Sequence, residues 1–145
     1  MKKVMVGLLV TAAVAVAVPL ALAANASTGN AKLVHVGLNV PECVGPFAGD
    51  DSGVVNVQYN AVQQREKVNV SVHNALPNQE YVVDIRCVGA IGTLTTNGQG
   101  TGTAQIDLSD VAVAPGTFYV DISVPNGGGG AGNYGDTFIA GPFTL

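Results

Sequence analysis

The stretch EKVNVSVHNALPNQEYVVDIRC, Glu66 to Cys87, decides the fold class. Val68, Val70 and Val72 alternate with Asn69, Ser71 and His73; after Leu76-Pro77-Asn78-Gln79, Tyr81, Val83, Ile85 and Cys87 form a second alternating row. Apolar residues at every second position mark a strand with one buried face, since successive side chains point to opposite sides of a sheet. The Pro-Asn segment between the rows is a turn by its chemistry. The unit is two strands and a reversal.

The same period extends in both directions. Toward the N-terminus, Val55, Val57 and Tyr59 form one inward row, and Val34, Val36, Leu38 and Val40 form another, with His35 on the polar phase. Toward the C-terminus, Gly92 to Thr96 runs into Asn97-Gly98, a hairpin signal because both residues tolerate the positive φ of a type I′ turn. Ala104, Ile106 and Leu108 return from it; Phe118, Val120, Ile122 and Val124 make a further strand, and Thr137 to Leu145 a last one, bent at Gly141-Pro142. No amphipathic helical period occurs after the first 23 residues. The expected fold is all-β, a two-sheet antiparallel immunoglobulin-like sandwich of seven or eight strands over residues 31–145. A closed barrel is the alternative.

Residues 1–23 have a different character. Lys2 and Lys3 precede an apolar run from Val4 to Val18, then Pro19 and small-residue sites ending at Ala23 and Ala26. This is the order of a cleavable signal peptide, with cleavage after Ala23 or Ala26, and the short basic start and Ala/Val core are of bacterial type. The remaining chain, roughly 120 residues, is long enough to bury a core. Export to an extracellular or cell-surface location follows, with no membrane span once the leader is removed. In an oxidising compartment the two cysteines, Cys43 and Cys87, are expected to form one disulfide.

Charge narrows the partners. With Lys2 and Lys3 set aside, Lys32, Arg65, Lys67 and Arg86 face ten acidic residues. Such a surface repels phosphate backbones, so nucleic acid is not expected to bind. Gly127 to Gly132, GGGGAG, matches the G-x-G-x-x-G spacing of dinucleotide sites. That motif works by opening a helix whose amides face the anion, and here a strand follows instead. The glycines read as a long hairpin loop, and such loops are where binding function concentrates. Asn126, Gly127, Gly130, Asn133, Tyr134 and Asp136 are the candidate binding-loop residues.

No catalytic or metal set emerges. His35 and His73 read as solvated side chains on outward phases, and a zinc site needs three or four ligands. The aspartates at strand ends follow no calcium-loop pattern and read as turn formers. No serine sits in a G-x-S-x-G elbow. A glycosidase cleft needs paired carboxylates, and with no Trp and only four Tyr and four Phe the chain is a poor candidate for an aromatic sugar platform. Arg86 is expected to make an exposed pair with Asp84 or Glu80. Tyr81 is expected to bond a corner backbone group through its hydroxyl. No cofactor is expected.

Ala75-Leu76-Pro77-Asn78-Gln79-Glu80-Tyr81-Val82-Val83, with Gly92 to Gly100 and Pro115 to Val120, resembles a pattern of secreted bacterial immunoglobulin-like sandwiches. The order of elements is also similar to chordin-type and copper-zinc superoxide dismutase-like sandwiches, without the clustered histidines that dismutase chemistry uses. The Leu76, Tyr81, Val83 and Cys87 spacing resembles neocarzinostatin-type apoproteins, which implies carriage of a small molecule, although that family uses two short-range disulfides. The expected function is thus a secreted, non-enzymatic module with an extracellular binding or surface-structural role. The alternative is a carrier of a small hydrophobic molecule in an inter-sheet cleft.

Overall fold

The computed structural model describes residues 26–37, 43, 45–60, 63–108, 116–125 and 134–144. They form eight strands: β1 (Ala26–Gly37), β2 (Asp50–Asn60), β3 (Arg65–Val72), β4 (Glu80–Ile85), β5 (Gly89–Thr95), β6 (Gly102–Leu108), β7 (Thr117–Pro125) and β8 (Tyr134–Thr144). The leader and its cleavage sites before Ala26, together with Leu38 and Val40, lie outside the described residues.

All eight strands belong to one antiparallel sheet in the order β5-β4-β7-β8-β1-β2-β3-β6. The expected two-sheet sandwich is therefore incorrect, and the molecule is a nearly closed, barrel-like sheet. The deciding contact is β1 with β8, where Leu33, Val34, His35 and Gly37 pair with Ala140, Ile139, Phe138 and Thr137. A sandwich would break its hydrogen bonding between two such strands, whereas here the ladder runs through. Alternation reports that each strand has one buried face, and that is equally true of both architectures. Bulges supply the curvature that alternation does not encode: pairing shifts on both sides of β1, after Leu33 against β2 and after His35 against β8.

Closure stops between β5 and β6. Asn97-Gly98 does not make the expected two-residue I′ hairpin; the chain turns through a longer loop in which the Asn97 side chain accepts from Gln99 and Thr101 N–H. The positive φ, +72°, falls on Gly100. A Cβ on Gly100 would lie 2.1 Å from the Ala75 carbonyl oxygen. β5 then pairs only with β4 and β6 only with β3, and these neighbours in sequence are the two edges of the sheet.

The interior is filled by Val55 and Val57 of β2, the valines of β3, Tyr81, Val83 and Ile85 of β4, Ile122 of β7 and Phe138 of β8, all essentially inaccessible. The inward phase of β1 differs from the one expected. Leu33, not Val34 or Val36, is the fully buried residue of β1, and Ala31 packs beside it. Gly29 shares that inward row, with Phe143 occupying the space of a side chain there.

β7 and β8 are buried on their second face as well, through Tyr119, Asp121, Ser123, Thr137 and Ile139. A strap around Phe47 lies over part of this face: its ring meets Tyr119 edge-on at 5.0 Å and sits 5.0 Å below the Arg86 guanidinium. The Cys43–Cys87 disulfide ties the strap to the end of β4, with Cα atoms 5.7 Å apart. A disulfide of this kind points to an oxidising environment.

Candidate functional site

Pro125 and Tyr134 pair at the mouth of the connection between β7 and β8. Of the loop residues singled out from the sequence, Asn126, Gly127, Gly130 and Asn133 lie outside the described residues. Tyr134 opens β8, and Asp136 stands two positions further along it.

Asp136 is the centre of a network. Its Oδ2 accepts a hydrogen bond from the Tyr81 hydroxyl at 2.5 Å, and its Oδ1 lies 2.6 Å from His35 Nε2. The Tyr81 hydroxyl in turn accepts from the Leu76 backbone N–H at 2.9 Å, the corner bond expected of it. Both carboxylate oxygens are thus engaged, by β4 on one side and β1 on the other. Bonds to an ionised acceptor are shorter and roughly twice as strong as neutral ones. Burial, and then the Asp136 hydrogen bond, push the Tyr81 hydroxyl well above the usual phenol range, so it stays a donor.

His35 is not the outward residue expected. It follows the buried phase of Leu33 and pairs with Phe138 across the β1–β8 ladder. Its ring packs on Phe138 with centroids 4.7 Å apart, leaving the side chain 38% exposed. With Nε2 donating to Asp136, neutral His35 keeps Nδ1 as an acceptor. This is a histidine–carboxylate pair of the kind used in acid–base chemistry. Among the described residues, however, no serine, threonine or cysteine hydrogen-bonds His35.

A second polar centre lies beneath the strap. Arg86 does not make the exposed pair expected with Asp84 or Glu80. Its Nη1 reaches Asp121 Oδ2 at 2.8 Å, with both side chains about nine-tenths buried. Burial pushes the Asp121 carboxyl up to about 6, with nearby Asp84 adding to the rise and Arg86 opposing it. Asp121 Oδ1 has no hydrogen-bond partner among the described residues. Near the start of β3, Glu66 is also buried, its Oε1 unpartnered among the described residues, and burial raises its carboxyl too.

The remaining candidates are dispersed. His73 is exposed beyond β3. Asp51 bonds Lys32 at 3.0 Å, and Asp107 lies between Arg65 and Lys67. Among the described residues no three of His, Cys, Asp and Glu come together as a metal site would require. Pairing of His35 with Asp136, 101 residues apart, had no local signal. The small-to-large row Gly29, Ala31, Leu33 was the one clue to the phase that places His35 inward.

No protein-family model matches the chain, and no curated protein matches its sequence. The immunoglobulin-like resemblance therefore reduces to an all-β antiparallel domain of eight strands with one disulfide.

Proposed function

We propose that the protein is an exported, non-enzymatic binding module that presents the β7–β8 connection, with Asp136 at its base, to an extracellular or cell-surface partner. The observation that supports this reading is the double anchoring of Asp136. A strand end held by hydrogen bonds from two other strands is a rigid base for a variable segment, and recognition loops perform best when carried on rigid scaffolds. The leader-like N-terminus and the disulfide support export.

The carrier alternative needs a ligand space other than an inter-sheet cleft, because the barrel axis is occupied by Tyr81, Phe138 and their neighbours. Native mass spectrometry of protein recovered from the culture medium separates the two readings. Oxidised protein beginning at Ala24 or Ser27 with nothing bound fits the binding module. Co-purified small-molecule mass moves the carrier ahead, and protein confined to the cell interior overturns both. Deleting Gly127 to Gly130 is then expected to leave the unfolding midpoint nearly unchanged while abolishing capture of the partner from the native extracellular fraction. Equal capture by the deletion variant would refute the role given to the loop.

A further inference from the structure

The outward face of β1, β2, β3 and β6 has an ordering that the loop reading does not use. Asn30 is directly opposite Asn56, Asn56 is opposite Asn69, and Asn69 is opposite Gln105. Four carboxamides therefore stand in one row across four strands, and at the usual strand spacing the row spans roughly 14 Å. Asn is among the residues least suited to strands. Local choices that oppose the fold concentrate where function requires them.

Geometry around the row points the same way. It crosses a shallow depression of about 320 Å³ lined by Val54, Asn56, Asn69, Ser71, Thr103 and Gln105. Asn56 is oriented by a bond from Gln58 Nε2 to its Oδ1 at 3.0 Å and by its own donation to the Gly29 carbonyl. The side chains of Asn30, Asn69 and Gln105 make no hydrogen bond among the described residues. The charges on this face lie to either side of the row: Lys32 with Asp51 on one flank, and Arg65 and Lys67 sharing Asp107 on the other, which leaves that flank one positive charge in excess. The result is a neutral strip of donors and acceptors on an acidic protein.

We propose that this strip binds a neutral polysaccharide lying across the strands. Each carboxamide offers two donors and an acceptor, which suits hydroxyl groups that donate and accept in turn. Val54, exposed beside the row, offers a small apolar surface to the C–H side of a sugar ring. The strip itself offers an ionic polymer no charge, the one cation in excess standing beyond it at Arg65 and Lys67, and the shallow depression is too open to seat the successive side chains of a peptide. The lack of an aromatic platform defines the mode of recognition: hydrogen bonds alone, weak per site, with a Kd of about 1 mM, made effective by the repeats of the polymer.

Affinity electrophoresis of the disulfide-bonded protein tests this, in gels containing soluble starch, laminarin or galactomannan, with dextran sulfate as the ionic comparison. Retardation by at least one neutral polymer is expected. The double variant Asn69→Ala/Gln105→Ala should weaken it about tenfold, while Gln99→Ala, on the β5–β6 turn, should not. The isosteric pair Asn69→Asp/Gln105→Glu should weaken it equally, which covers any loss of folding in the alanine variant. Deleting Gly127 to Gly130 should leave retardation intact, separating this site from the loop. Migration unaffected by all three neutral polymers, retardation by dextran sulfate alone, retention of uncharged peptides in their place, or full binding by both double variants would overturn the proposal.

Discussion

Tyr81, Asp136, Arg86 and Asp121 show how few polar side chains organise this molecule. Tyr81→Phe removes one hydroxyl but leaves two groups short of a partner, the Leu76 N–H and an oxygen of Asp136. Unsatisfied groups cost more than the mean hydrogen bond, so a loss of about 2 kcal/mol is expected in urea unfolding. A change below a few tenths would mean that water replaces the hydroxyl without penalty. Arg86→Ala is the harsher change, because it leaves the Asp121 carboxylate buried with no counter-charge. Breaking such a pair costs about 3 kcal/mol or more, and here the loss should be greatest near neutral pH and smaller near pH 5, where the carboxyl is protonated. The corner bond of Tyr81 was visible in the sequence, but neither carboxylate partner, Asp136 or Asp121, was. Asp84 and Glu80 lay close to Arg86 along the chain, but the partner that mattered is 35 residues away and is set by the pairing of β4 with β7.

At the level of strands and turns, the sequence was most legible where a residue answers to its immediate neighbours. The valines of β3 and the Tyr81, Val83, Ile85 row of β4 emerge buried as read, because alternation is a local property. The corner at Leu76 to Tyr81 also follows from its Pro-Asn chemistry. Bulges were not legible, since an extra residue in one strand is defined only against its partner, and those beside Leu33 and His35 shifted the reading of β1. Asn97-Gly98 misled for the same reason: the signal for a tight hairpin is valid only if the flanking strands pair, and β5 and β6 do not. This assigns the glycines of the turn different roles. Gly100→Ala should destabilise by about 2 kcal/mol, through positive φ and a clash with the Ala75 carbonyl. Gly98, whose Cβ would meet only the Asn78 side chain at 3.9 Å, should accept alanine with a change below about 0.5 kcal/mol. Thermal unfolding of the two single variants makes the comparison, and equal losses would show that the turn is not anchored at Ala75.

For the molecule as a whole, acidity acts in an unusual direction. Glu66, Asp84 and Asp121 are all raised by burial, so the fold prefers their protonated forms. The contribution of Asp121 is complete below the unfolded value near 4 and is lost as pH rises through about 6; Glu66 and Asp84 act in the same direction. Asp51, lowered by Lys32, acts oppositely but is fully exposed and open to screening by salt. The unfolding temperature should therefore rise between pH 7.5 and pH 5, and Asp121→Asn should flatten that rise; a steady fall over the same range would contradict it. Reduction acts on the other large term: a disulfide enclosing a separation of 44 residues contributes about 4 kcal/mol in the chain-entropy model, and the reduced protein should unfold at correspondingly lower urea. The pairing of β1 with β8 finally has a bearing on biosynthesis. The sheet's first strand must wait for its last, Tyr134–Thr144, before the ladder can run through. Chains emerging from the ribosome therefore lack the β1–β8 closure until β8 has been made, and long-range pairing of this kind is slow to form. A nascent chain that stays open until β8 has been made is in the state that the export proposed above would require.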